Sequence, residues 1–430
     1  MVTAPLQEDR PQPRPDALPP AVDSFAPPFL PLVMGLLAPG LAILAPLVPL
    51  GMAPLLITLA VLAGGLVLWR TRRLPPLPRD MLLPLALFWA LGTVSIAWTP
   101  VPMDGLAQSI TFVYELVPGF LLMGGIWALG NGQRCRLRRV VVVAFAIGLG
   151  LYAVESLFGQ PLYHLAKWLE GTKVAQERAL NRPSVIFTVL VWPVALLLWQ
   201  QGRAWAAFLL PAAYGLLTLA TPSASAVAGM AGGLLLLPLA WYRPRLAVWL
   251  LAALLVGGFL FCVPVAGLLA GLGLEKHPDF PFSFAHRIDI WQFAAERATE
   301  RPWFGWGLDA SRAIPEGNRV TEGLALERPV MPLHPHNLFL QARLELGWVG
   351  SALLAWFGVV LLARIGRLPR APRAFALACY GSSVLVACFA YGAWQTWWVC
   401  TLLLAGFLFV GVAERPGLTA SAPGSPRPLP

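Results

Sequence analysis

The sequence holds five histidines, His164, His277, His286, His334 and His336. Imidazole is the side chain best suited to moving a proton at neutral pH, because its unperturbed pKa is about 6.5. Two of them flank a proline in His334-Pro335-His336-Asn337, just ahead of the apolar stretch Leu338–Leu346 and Gly347. The proline extends the local backbone, so the two rings are expected to point apart. Asn337 is placed to cap a helix over Leu338–Leu346, and Gly347 is placed to end it. A histidine just outside a helix N-terminus feels a partial positive charge, which favours neutral imidazole and attracts anions. His336 is therefore the candidate general base and His334 a structural residue. A metal held by the two histidines would need further ligands, and the segment offers no adjacent acid.

Arginine supplies the complementary chemistry. Guanidinium is always charged and grips a phosphate through two parallel hydrogen bonds. Arg178 and Arg182 precede an apolar run that begins after Pro183, and Arg287 stands beside His286. These are the candidates for holding a phosphate; the plainer role for each is an anchor at the lipid–water boundary. Arg312, Arg319 and Arg328 read as solvated loop charges. Two acids lie within apolar runs. Glu115 sits deep, as a proton-coupled transporter would place an acid, whereas Glu155 is near enough to the surface to pair with a loop arginine. Cys135, Cys262, Cys379, Cys388 and Cys400 show no CxxC and no metal-ligand spacing, and read as small hydrophobes without disulfide, metal or catalytic roles.

These residues must be positioned by membrane-spanning helices. Hydrophobic residues make up 57% of the 430 residues and charged residues only 12%, against about 25% charged in a soluble domain. Apolar runs of spanning length fall near 29–49, 52–69, 81–98, 107–129, 140–158, 184–200, 205–220, 226–241, 247–270, 347–363, 374–393 and 396–413, about twelve in all. The net charge of +10 is not a nucleic-acid patch. Its basic residues cluster in short loops, at Arg70–Arg79, Arg134–Arg139, Arg203, Arg243–Arg245 and Arg364–Arg373, which twelve spans place on one side with both termini. The positive-inside rule makes that side cytoplasmic.

The expected fold is thus an all-α polytopic membrane protein. Residues 1–28 form a disordered cytoplasmic tail, 29–270 hold nine spans, 271–346 form a large periplasmic loop, 347–413 hold three spans, and 414–430 form a second disordered cytoplasmic tail. Inside the loop, Ile288, Trp291, Ala294, Ala295 and Ala298 recur at helical spacing over Arg287–Arg301. The spacing predicts an amphipathic helix lying on the membrane, broken by Pro302-Trp303-Phe304-Gly305-Trp306-Gly307.

The motif His336-Asn337, nine residues, then Gly347-Trp348-Val349-Gly350 resembles the signature of the bacterial O-antigen ligases. Arg287-Ile288-Asp289-Ile290-Trp291 with the 302–307 turn is similar to the arginine–tryptophan helix and Gly-x-Gly turn of these ligases and the related O-antigen polymerases. Asn181-Arg182-Pro183 resembles the arginine ahead of the sixth span. Ser223-Ala224-Ser225-Ala226 departs from the more polar turn of those relatives. The resemblance implies a GT-C-like architecture and a metal-independent, inverting glycosyltransferase without cofactor. It would move a polysaccharide from undecaprenyl pyrophosphate to a sugar hydroxyl of lipid A–core, at the periplasmic face of the bacterial inner membrane. His336 would be the base, Arg287 would act on the pyrophosphate, and Arg182, Arg178 and Asn337 would bind substrate. The alternatives are an O-antigen polymerase, a protein O-oligosaccharyltransferase and, from another class, a secondary transporter. A transporter should show repeated halves, and the sequence shows no matched halves.

Overall fold

The architecture is built around one helix that is apolar on every side. In the computed structural model, which describes residues 26–72, 79–126, 131–171, 180–273, 277, 281–320 and 328–412, every residue of Asn181–Gln200 from Pro183 to Leu198 is buried. A helix with no polar face must be surrounded, and its neighbours are drawn from both halves of the chain. In chain order the bundle comprises α1 (Leu30–Leu47), α2 (Pro49–Gly64), α3 (Arg79–Ala97), α4 (Pro102–Met123), α5 (Gly132–Leu157), the short α6 (Pro161–Leu169), the central α7 (Asn181–Gln200), α8 (Ala204–Thr218), α9 (Ala224–Tyr242) and α10 (Pro244–Gly271). After the long loop, which holds α11 (Phe282–Glu300), come α12 (Leu338–Gly366), α13 (Arg370–Phe389) and α14 (Thr396–Val410).

Among the described residues nine helices are long and apolar enough to cross a membrane. The shorter α2, α8 and α14 occupy the other expected positions. Contacts between distant segments fix the alternating directions. Arg364 near the end of α12 pairs with Asp80 at the start of α3, and Arg370 of α13 donates to the Trp241 carbonyl at the end of α9 (3.2 Å). The expected tails, 1–25 and 414–430, lie outside the described residues; 26–28 already belong to the first helix.

Helices in lipid associate by close packing rather than by escape from water, and small residues allow the closest approach. The α9–α13 contact shows this. A Cβ on Gly233 would come within 2.3 Å of the Ser382 hydroxyl and of the Trp192 ring. That hydroxyl accepts from Trp192 Nε1 (3.0 Å) and donates to the Gly229 carbonyl (2.8 Å), so α7, α9 and α13 meet at one point.

Two expected boundaries are corrected. The eleventh span does not reach residue 393: α13 ends at Phe389, and Ala390–Gln395 is irregular. Gly347 does not end its helix. With φ 63° and ψ −156° it kinks α12, which continues to Gly366, so that the tenth expected span begins at Leu338 rather than at 347. The Pro302–Gly307 turn inserts there. Trp306 and Gly307 donate to the carbonyls of Leu344 (2.9 Å) and Glu345 (2.7 Å), while Trp348 and Val349 donate to those of Pro302 (2.8 Å) and Trp303 (3.1 Å). The α11 helix also differs from expectation. It begins at Phe282 and packs against α10 and α12, burying Ile288, Ile290, Trp291, Phe293, Ala294 and Ala298.

The kink conformation is essentially restricted to glycine, and an L-residue there costs about 1–3 kcal/mol of strain. An added Cβ would also lie 2.3 Å from the Trp303 carbonyl. Gly347→Ala is therefore expected to lower the melting temperature of the detergent-purified protein by several degrees or to abolish folded protein. Gly267→Ala, which meets nothing within 4 Å, is expected to leave it unchanged. Equal melting temperatures for the two variants would contradict this account of the kink.

Candidate functional site

The site is assembled where the irregular segment Ala390–Gln395 lies across the start of α12. Asn337 caps that helix as its type predicts: Oδ1 accepts from the backbone N–H groups of Phe339 (3.0 Å) and Leu340 (3.2 Å). Immediately before it, His336 adopts φ 54°, the left-handed region that a non-glycine residue enters only when its surroundings enforce it. The enforcement is visible on both sides. Trp291 Nε1 of α11 donates to the Pro335 carbonyl (2.8 Å), and His336 Nδ1 donates to the Ala390 carbonyl (2.5 Å). A carbonyl can only accept, so Nδ1 carries the ring proton and Nε2 keeps its lone pair.

The two rings do not point apart. Their centroids are 4.2 Å from each other in an edge-to-face arrangement, because the turn at His336 folds the chain back on itself. His334 is buried, and its Nε2 faces the backbone N–H of Gly392 (3.1 Å) and the side-chain amide of Gln395 (3.3 Å). That nitrogen is already occupied as an acceptor. Burial drives both imidazoles toward the neutral form: His334 falls to about 3 and His336 to about 4. The positive charges of Arg287 and His286 push His336 down further, against the Ala390 hydrogen bond that raises it. For His334 the additional depression comes from His336 and from Arg312.

The charges of two candidate arginines bear on the same segment. Arg287 is on α11 with its guanidinium over the Phe284 ring, 5.6 Å from the centroid. Arg182 is exposed in the first turn of α7. Tyr391, in the irregular segment, feels both: burial raises its phenol, and the charges of Arg182 and then Arg287 oppose the rise. Arg178 lies outside the described residues. Arg312, expected to be a solvated loop charge, is half-exposed and 3.4 Å from Asp309, yet near enough to bear on His334. Among the described residues no arginine pairs with Glu155; its carboxylate accepts the N–H groups of Leu162 (2.7 Å) and Tyr163 (3.1 Å) and so caps α6.

Several residues of the site went unnoticed in the sequence. Glu345, fully buried, accepts four hydrogen bonds, from Asp309 N (2.8 Å), Ser311 Oγ (2.5 Å), Gln341 Nε2 (3.0 Å) and Trp394 Nε1 (2.7 Å). Gln341 Oε1 accepts from Ala393 N (2.8 Å). The available signal was two polar residues four apart on one face of an otherwise apolar helix, the spacing that brings side chains together. Among the described residues no group of three or more His, Cys, Asp or Glu side chains is arranged to hold a metal ion.

Fold and site together define a polytopic, all-helical membrane protein with a histidine–arginine centre at one end of its bundle. Residues 206–355, which contain His336 and Arg287, match the model of the O-Antigen ligase family. A "Putative polysaccharide ligase" of Rickettsia felis is 26% identical over 316 residues, 73% of this chain and 76% of that protein. One from Rickettsia conorii is 28% identical over 324 residues, 70% and 78%. One from Rickettsia bellii is 28% identical over 226 residues, about half of each chain at 52% and 55%. The O-antigen ligase family resemblance read from the His336 motif is borne out.

The depressed histidines tie stability to pH. Unfolded imidazole takes up its proton near 6.5, whereas His336 and His334 resist until about 4 and about 3. The folded state loses nothing above pH ~6.5 and loses stability as the pH falls from there through the folded values. Melting temperatures of the purified protein are expected to drop across this window. The drop is expected to be shallower in a His334→Gln/His336→Gln variant, and identical slopes would refute the assignment.

Proposed function

We propose that this protein is a polysaccharide ligase that transfers a glycan from undecaprenyl pyrophosphate to a sugar hydroxyl of lipid A–core at the periplasmic face of the bacterial inner membrane. The observation that carries the reading is the state of His336: its Nδ1 proton is held by the Ala390 carbonyl, leaving Nε2 as a proton acceptor within range of the Arg287 charge. The acceptor hydroxyl oxygen attacks the anomeric carbon as its proton passes to Nε2. The carbon–oxygen bond to the pyrophosphate breaks, and its electron pair leaves with the phosphate. Attack opposite the leaving group inverts the anomeric centre.

The leaving group gains negative charge as the bond breaks. Preorganised cations in a water-poor site stabilise such charge, and Arg287 and Arg182 are the residues assigned to it. This supplies what a divalent cation supplies elsewhere and makes the reaction metal-independent. The same arrangement tunes the base. At rest burial, and to a lesser extent the charge of Arg287, holds His336 low, which guards the neutral form but makes a weak base. A bound pyrophosphate offsets that charge, so the imidazole becomes more basic when the donor arrives. With both termini cytoplasmic, the long loop and its site face the periplasm.

Removing a positioned general base costs about 10²–10⁴ in rate. His336→Ala is expected to abolish surface polysaccharide on lipid A–core while the protein remains in the membrane at normal level. Full-length chains on lipid A–core in that strain would overturn the assignment, and shortening to one repeat would point to a polymerase. Arg287→Lys keeps the charge and loses the fork; transfer is expected to fall by roughly tenfold or more, and unchanged transfer would reduce Arg287 to a membrane anchor.

A further inference from the structure

We propose that Glu345 is a positioning residue that fixes the proton on His336 Nδ1, acting through the Ala390–Gln395 segment. The inference rests on the reading of His336 as the base. The geometry starts with what holds that segment. Ala390–Gln395 has no helical ladder; within it, Gln395 N reaches the Gly392 carbonyl at 3.2 Å. Its place is otherwise set from outside. Gln341 Oε1 takes the N–H of Ala393, and Glu345 takes the indole N–H of Trp394. The Trp394 ring is wedged against Phe88 and Phe112, with centroids 5.4 and 5.8 Å away, and Gln108 Nε2 reaches the Trp394 carbonyl at 3.4 Å. The Ala390 carbonyl at one end of this segment receives His336 Nδ1–H, and Gly392 N–H engages His334.

Glu345 is the point at which these restraints meet. Four donors converge on its carboxylate, two on each oxygen: Ser311 and Gln341 on Oε1, Asp309 N and Trp394 on Oε2. Only an ionised carboxylate offers lone pairs to all four. An amide in its place would offer one oxygen and turn two N–H groups toward donors. The four contacts join three separate pieces of chain, namely the first half of α12, the 309–313 loop and the segment before α14. A buried network of this kind fixes one arrangement when fully satisfied and loses it when one member is wrong. Glu345 itself is about two turns along α12 from Asn337, so it does not touch the reacting atoms. It acts by keeping the Ala390 carbonyl where the imidazole proton needs it.

The test uses the full-length protein in lipid nanodiscs with 15N-labelled histidine, alongside a transfer assay with lipid-linked donor and lipid A–core. In the wild type the His336 ring nitrogens are expected to report a single neutral form protonated at Nδ1. In Glu345→Gln that signature is expected to give way to mixed tautomers. Turnover is expected to fall roughly a hundredfold, the scale of a 1 Å misplacement, with KM for the donor changed little because Arg182 and Arg287 remain. Trp394→Phe keeps the aromatic wedge and removes one donor, so it decides the matter if Glu345→Gln does not fold. It is expected to lower turnover roughly tenfold, as loss of one hydrogen bond to a charged group does. In Glu345→Gln/Trp394→Phe, removal of a clashing donor is expected to restore part of the activity. A folded Glu345→Gln or Trp394→Phe protein with the wild-type tautomer and turnover overturns the proposal. If the wild type transfers no glycan, or His336→Ala still does, the functional reading fails while the tautomer measurement still judges the role of Glu345.

Discussion

The rest of the structure depends on how the break at Gly347 is sealed. Interrupting a membrane helix strands carbonyls on one side and N–H groups on the other, and each unsatisfied buried group costs about 1–3 kcal/mol. Here a single turn satisfies both sides. Pro302–Gly307 donates two N–H groups to the first half of α12 and lends two carbonyls to the second half. The fit is mutual: a Cβ on Gly305 would meet the Glu345 carbonyl at 2.4 Å, as one on Gly347 would meet that of Trp303. Arg343 closes the joint from the side, lying 3.4 Å from the Trp348 ring centroid and reaching the Pro302 carbonyl. The kink lets one helix both span the membrane and present a separately aimed first turn, and that first turn carries the cap beside His336.

What was legible in the sequence divides along physical lines. Spans were legible because their length is set by the bilayer, and the helices fall where apolar runs of that length predict. The role of Asn337 was legible because capping is local. Gly347 was only half legible, since a helix stop and a kink both ask for positive φ. The difference lies in Trp303 and Phe304, forty residues upstream, which dock there. The break at Ala390 was hidden for a different reason. Ala390, Gly392, Ala393 and Trp394 are as apolar as a span, and what keeps them irregular is a set of side chains on another helix. The proximity of the two histidine rings was missed because it follows from the left-handed turn at His336, which Pro335 alone does not impose.

The site's electrostatics are those of a place waiting for negative charge. Burial and the surrounding cations keep both imidazoles neutral, while the charges of Arg182 and Arg287, on two different elements, both bear on Tyr391. Neither arginine's role could be read from its own neighbours, since an interfacial anchor has the same local sequence. The region matched by the family model includes His336 and Arg287 but neither Arg182 nor the Ala390–Gln395 segment.

The histidine pair also shows why one ring and not the other is available for chemistry. Each has one nitrogen engaged by the 390–395 segment, but in opposite senses. His336 meets a carbonyl and must give its proton there, which frees the far nitrogen to accept. His334 is faced by N–H groups at both ring nitrogens, those of Gly392 and Gln395 at Nε2 and the backbone N–H of His336 at Nδ1 (3.3 Å), so both are engaged within the fold. A proton drawn from substrate therefore has one place to go. The asymmetry is set by the backbone direction of a short stretch, one carbonyl at Ala390 and one N–H at Gly392. The placement of that stretch, more than the identity of the histidines, leaves His336 Nε2 as the nitrogen able to accept a proton.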